Sequence, residues 1–210
     1  IIRHFIVDHG FTRLNFLAGP KSHPDSEMRL ASYKRILKEY NIPIEEERIY
    51  YGDFWKNEAY KAVDYWLASD LPLPQAIICA NDYMAITACN ALLNKGYSVP
   101  GDIAVSGCDD ILDAAEYHPS ITTTRMPIHA MGAEAVDIIH KHLMGIEQEK
   151  TIYVNTVTVI RESCGCKADG ISERIEKKRY YMNLSDSLRR AIARNAYMSG
   201  DLTGLTKLDD

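Results

Sequence analysis

The side chains in this 210-residue chain that could do chemistry sit just after short apolar runs. Gly19 to Arg29 follows the run Leu14 to Ala18, and Gly52-Asp53-Phe54-Trp55 follows Arg48 to Tyr51. Asn81-Asp82 follows Ala76 to Ala80, and Asp109-Asp110 follows Ile103 to Ser106. A guanidinium, an amide and a carboxylate can exchange hydrogen bonds with the hydroxyls of a small polar molecule. An aromatic ring can lie on its apolar face. Alternatives remain within each group. Asn81 could cap the helix that follows, or Asp82 could be the cap and leave Asn81 free. Asp109 and Asp110 read as one carboxylate for a ligand and one for structure. Either Phe54 or Trp55 could be presented by its turn.

Other chemistries fit less well. There is no G-x-S-x-G, no Walker lysine loop, and no G-x-G-x-x-G after the first strand, so no catalytic residues are expected. His140 and His142 stand two apart on a helix pattern, do not share a face, and read as solvated surface. Cys79, Cys89 and Cys108 lie in apolar or helical runs and read as small buried hydrophobes. Cys164-Gly165-Cys166 could supply half of a zinc site, but no second pair at zinc spacing accompanies it. No metal and no cofactor are therefore expected. An odd cysteine count without framework spacing favours a reducing compartment, and hence the cytoplasm.

The elements that would carry these residues alternate. Apolar strands are predicted at Leu14 to Ala18, Arg48 to Tyr51, Ala76 to Ala80 and Ile103 to Ser106. Helices are predicted from Ser26 to Tyr40, Asn57 to Ala68 and Asp82 to Asn94, and a helix end spans His4 to His9 before Gly10. Strands apolar on both faces, separated by helices, describe an open parallel sheet covered on both sides. In such sheets ligands bind beyond the carboxyl ends of the strands, which is where the groups above fall. After Asp110 the rhythm changes. Ile121 to Met126 and Val154 to Ile160 read as short strands flanking a long amphipathic helix from Ile128 to Met144. From Lys167 the chain becomes charged, with a helix or linker expected across Glu173 to Arg194.

A hydrophobic fraction of 46% supports a packed core, and a net charge of −5 gives no chain-wide basic surface for nucleic acid. No apolar run is long enough to span a bilayer. The chain begins Ile1-Ile2 and ends Leu208-Asp209-Asp210, and is expected to be a piece of a longer protein.

Several motifs occur together in a recognisable order. They include Ala80-Asn81-Asp82-Tyr83-Met84-Ala85, Val99-Pro100-Gly101-Asp102-Ile103 and Gly107-Cys108-Asp109-Asp110. Pro119 with Thr122-Thr123, and Arg161-Glu162-Ser163, complete the set, with His9-Gly10, Gly19-Pro20 and Arg29 to Tyr33 upstream. Over residues 1 to 163 the chain resembles the effector-sensing domain of the lactose/galactose repressor family. That resemblance implies a periplasmic-binding-protein-like fold, with two α/β lobes around a cleft. It implies that residues 1–120 and 154–163 form the second lobe, that 121–150 cross to the first, and that residues 1–166 are a partial sensor domain. Residues 167–210 would be a helical connector toward an output domain that this chain lacks.

The resemblance also implies effector contacts by Arg29, Phe54, Asn81 and Asp109. Met126 stands where the family often has a polar residue, and Cys108 replaces a bulky one. Asp201 to Leu205 resembles the L-T-G-L opening of diguanylate cyclase domains, without the asparagine and arginine that follow there. The expected function is a ligand-sensing domain of a transcription or signalling regulator. It would bind a small, sugar-like effector, work as a homodimer, touch DNA only through a module outside this chain, and make no membrane contact. An extracytoplasmic sugar-binding protein and an α/β enzyme are the competing readings.

Overall fold

The computed structural model describes residues 1–147, 149 and 151–167, and the expected connector over 167–210 lies outside them from residue 168 on. Four short strands form one all-parallel sheet in the order β2-β1-β3-β4. They are β1 (Leu14–Ala18), β2 (Ile49–Tyr51), β3 (Ala76–Cys79) and β4 (Ala104–Ser106). Every residue of β1, β3 and β4 is buried. Parallel strands show this pattern when both faces of the sheet are covered. Helix α1 (Ile2–Val7) precedes β1, the helices between the strands are α2 (Pro24–Glu39), α3 (Lys56–Ala68) and α4 (Asp82–Asn94), and the short α5 (Leu112–Glu116) follows β4.

The register sets the sheet's ligand edge. Phe16 pairs with Ile49 and Ile78, and Ile78 pairs with Ser106, so the four strands end side by side. Helix α2 is held to β1 by Tyr33, which stacks on Phe16 at 4.9 Å and donates its hydroxyl hydrogen bond to the Leu14 carbonyl at 2.7 Å. Burial pushes the Tyr33 phenol well above its ordinary range, so it stays a donor. Ser26 is buried inside α2, and the helix is capped instead by His23, whose Nδ1 accepts from the Asp25 amide, with Pro24 at the first helical position. Arg48 precedes its strand in a 3-10 turn and is buried against Glu45, with further bonds to Asn15 Oδ1 and the Pro72 carbonyl.

Two segments cross at the far side of β4. The outgoing one contains β5 (Thr123–Arg125), and the returning one contains β6 (Val157–Val159), shorter than the predicted Val154 to Ile160. They pair antiparallel, Thr124 opposite Thr158. Next to this ladder the two segments are bonded side chain to backbone. Glu162 accepts from the Ser120 amide and hydroxyl, the Ser163 hydroxyl receives the Thr122 amide and donates to the Val105 carbonyl, and Arg161 donates to the Ile121 carbonyl. The motifs Pro119 to Thr123 and Arg161-Glu162-Ser163 are thus the two halves of one crossing. Between them, α6 (Ile128–Leu143) contains no buried residue, and Ile128, Val136 and Leu143 are all more than two-thirds exposed.

Asp110 anchors the crossing. Its two oxygens meet Arg161 Nη2 and Arg125 Nε, both at 2.5 Å, and its side chain is almost fully buried. Arg161→Ala leaves that carboxylate with one of its two cationic partners, and is expected to destabilise folding by about 3–5 kcal/mol. Urea unfolding of the variant checks this, and an unchanged midpoint contradicts it.

Candidate functional site

The sheet's carboxyl edge gathers Arg29, Phe54 and Asp109 into one cluster. Arg29 reaches from the first turns of α2, where its guanidinium donates to the Ala80 carbonyl at the end of β3. Its Nη2 lies 3.6 Å from Asp109 Oδ1, and its guanidinium carbon lies 5.9 Å from the centre of the Phe54 ring. All three residues are half-buried. The Phe54 ring sits over Gly19. A Cβ at position 19 would come within 2.2 Å of the ring, so only glycine leaves it this place. His23 meets the other side of Phe54 edge-on, with ring centres 5.0 Å apart. Trp55 turns away to pack on Tyr83 at 5.1 Å. Of the two candidate aromatics, Phe54 is therefore the one beside Arg29.

The backbone here is under local strain. Phe54, Asp109 and Asp110 all have positive φ, of 64°, 124° and 59°. Such conformations are unfavourable for side chains with a Cβ and persist where surrounding bonds fix them. The bonds can be named. The Asp109 amide donates to the Thr124 carbonyl, and Asn81 Nδ2 donates to the Phe54 carbonyl at 2.9 Å.

Asn81 is the cap of α4: its Oδ1 accepts from the Met84 amide at 3.0 Å. The alternative in which Asp82 caps the helix and frees Asn81 is corrected by this geometry. Asn81 is buried, and each end of its amide already holds one protein partner. Its amide ties the start of α4 to the Phe54 loop. Asp82 does something the sequence reading did not assign. Fully buried, it accepts from Thr123 Oγ1 at 2.6 Å and from the Ile111 amide at 2.9 Å. It ties α4 to the crossing. Gly107 makes room for it, since a Cβ there would meet Asp82 Oδ1 at 2.1 Å.

Asp109 and Asp110 differ in burial and in pairing. Asp110 is locked between two arginines, whereas the Asp109 side chain keeps 36% of its surface exposed and has one loose ion pair. Burial raises the Asp109 carboxyl above its ordinary value, and Arg29 partly offsets this. A carboxylate that is half-desolvated and imperfectly paired is suited to accept two hydroxyl donors from a ligand. Cys108 beside it is pushed up to about 11 by burial, so it is a neutral thiol. His23 is the further site residue that the sequence reading missed. The signal available was the His-Pro pair at a helix start.

Residues 2–164 match the family model described as a periplasmic binding protein-like domain. The chain belongs to that family. Within it, the similarity is to the sensor domains of the LacI-type repressors. The chain is 31% identical over 153 residues to the HTH-type transcriptional repressor PurR of Vibrio campbellii, covering 73% of this chain and 46% of that protein. To PurR of Pasteurella multocida it is 29% identical over 160 residues, covering 76% and 48%. The chain therefore spans about half the length of the curated relatives it matches. Among solved structures, a sugar-binding transcriptional regulator of the LacI family from Escherichia coli, complexed with phosphate, superposes with a TM-score of 0.70 at 28% identity, over 75% of this chain and 56% of that one. The lac repressor dimer bound to operator and the anti-inducer ONPF gives 0.71 at 28%, over 77% and 48%. The parallel sheet with its covering helices belongs to that fold.

Burial raises the Asp82 carboxyl to about 6, against the two hydrogen bonds that favour its charged form. Between its ordinary value near 4 and about 6, the folded state holds a proton that the unfolded chain releases. Stability is therefore expected to fall as pH rises through that window, by up to about 3 kcal/mol from this group. Asp82→Asn removes the titration. Denaturant unfolding of both proteins at several pH values should show the wild type losing stability relative to the variant across this window. Parallel pH profiles would contradict the assignment.

Proposed function

We propose that this domain is the effector-sensing part of a transcription regulator, and that Arg29, Phe54 and Asp109 form one wall of its effector site. The observation that carries the reading is the exposed carboxylate of Asp109 beside the Arg29 guanidinium and the Phe54 ring, at the carboxyl edge of a parallel sheet. Asp109 and Arg29 exchange bonds with ligand hydroxyls or a carbonyl. Phe54 covers an apolar face of the ligand, and Asn81 holds the Phe54 loop in place. The ligand class is a small, polar, sugar-like molecule. Among the similar structures, one is a cellobiose complex of the transcriptional regulator CelR, with a TM-score of 0.69.

The opposite wall comes from a second α/β lobe, reached through the crossing at β5 and β6. The exposed apolar residues of α6 favour a covering element of that kind. Binding between the lobes closes them about the crossing, and closure shifts the population of two arrangements in a cytoplasmic homodimer. DNA is touched through a separate module. The repressor character of the relatives supports a binding role over a catalytic one.

Thermal shift of the full-length protein against monosaccharides, disaccharides, nucleobases and nucleosides is expected to single out one class. Calorimetry with that ligand should then lose about 1–3 kcal/mol in Asp109→Ala and in Arg29→Ala, the loss associated with an unpaired buried partner. A ligand bound at wild-type affinity by both variants would remove this edge as the site.

A further inference from the structure

The two ends of the described chain meet at a cluster of four metal-ligating side chains. His4 in α1 and His9 just after it face Cys164 and Cys166, and one ligand atom from each lies within 4.8 Å of all the others. The closer spacings are informative. His4 Nε2 to His9 Nε2 is 3.1 Å, Cys166 Sγ to His4 Nε2 is 3.6 Å, and Cys166 Sγ to His9 Nε2 is 3.5 Å. With Zn–S bonds of about 2.3 Å and Zn–N bonds of about 2.0–2.1 Å, a regular tetrahedron has S···N edges of about 3.5 Å and N···N edges of about 3.3 Å. All three spacings fall within about 0.2 Å of those edges.

Three further features fit. His4 Nδ1 lies 2.6 Å from the Asp8 carboxylate, which fixes the proton on Nδ1 and leaves Nε2 with its lone pair toward the cluster. A carboxylate behind a histidine ligand is the usual outer partner of a bound metal. Gly165 has a φ of +98°, and this left-handed turn brings the two cysteines of the Cys-x-Cys pair round to one point. Both cysteines are free thiols, Cys164 buried and Cys166 half-buried. The sequence reading found no second pair because His4 and His9 are some 160 positions away and join the thiols only through the fold.

We propose that His4, His9, Cys164 and Cys166 form a closed, structural Cys2His2 site for a tetrahedral divalent cation of the zinc type. Four protein ligands leave no open position, so the site is structural. Binding releases the two thiol protons to solvent. The metal fastens α1 to the segment at which the chain leaves the compact unit ending at Lys167. This site is separate from the effector cluster, and its test does not depend on the effector.

The test is elemental analysis of the full-length protein, purified under reductant without a metal-chelating tag from zinc-supplemented medium. About one zinc per chain is expected. Replacing zinc by Co(II) should give the ligand-field bands of a tetrahedral site together with thiolate-to-cobalt charge transfer. Cys166→Ser and His9→Ala should lose the metal, whereas Cys79→Ser should keep it. The wild-type cobalt spectrum stands even where a ligand variant fails to fold. Reduced protein that takes up neither zinc nor cobalt overturns the proposal. So does a Cys164–Cys166 disulfide that persists under reductant, or a zinc retained when Cys164→Ser and Cys166→Ser are combined.

Discussion

Two buried carboxylates hold the point where this domain's chain crosses and returns. Asp110 is clamped between Arg161 and Arg125, and Asp82 takes the Thr123 hydroxyl and the Ile111 amide. Neither could be buried without such partners, because an unpaired charge away from water is costly. The consequence is geometric. Because Asp110 is held between two arginines, Asp109 is fixed at the lip of β4, its side chain half-buried and its amide bonded to the Thr124 carbonyl. The position of the open carboxylate thus depends on the closed one.

The same logic reaches across the sheet edge. Asp82 opens α4, and the preceding Asn81 caps that helix while its amide holds the Phe54 carbonyl. Phe54 in turn lies on Gly19 and beside Arg29. Helix start, loop and crossing form a continuous chain of specific bonds from β5 to the aromatic ring. Motion of the crossing segments would therefore be felt at the ring and at Asp109. In the proposed reading, ligand contacts and hinge share neighbouring residues, so a ligand can favour one hinge state over another by differential contact.

Much of the fold could be read from the sequence. Leu14 to Ala18 and the helices α2, α3 and α4 after it are apolar runs or stripes bounded by proline, glycine and capping residues, and these local signals set where elements begin and end. That the strands form an open, parallel sheet followed from alternation alone; their order, β2-β1-β3-β4, did not. What local signals could not resolve was the choice between adjacent polar residues. Asn81 and Asp82 have equal claims as caps until β5 supplies Thr123, 41 positions later, to take the aspartate. Arg161 and Asp110 are 51 apart, and His4 and Cys166 are 162 apart. Such pairs exist only through tertiary structure. His23 was missed for a different reason, since histidine is an uncommon cap and its edge-on contact with Phe54 depends on a positive φ in another loop.

The central claim is that Arg29, Phe54 and Asp109 receive the effector. A structure of the full-length protein with its effector bound tests it most directly. The account predicts ligand polar atoms within hydrogen-bond distance of the Asp109 carboxylate and the Arg29 guanidinium, with an apolar face of the ligand against Phe54. A ligand bound elsewhere, with Arg29 and Asp109 touching only each other, would contradict it.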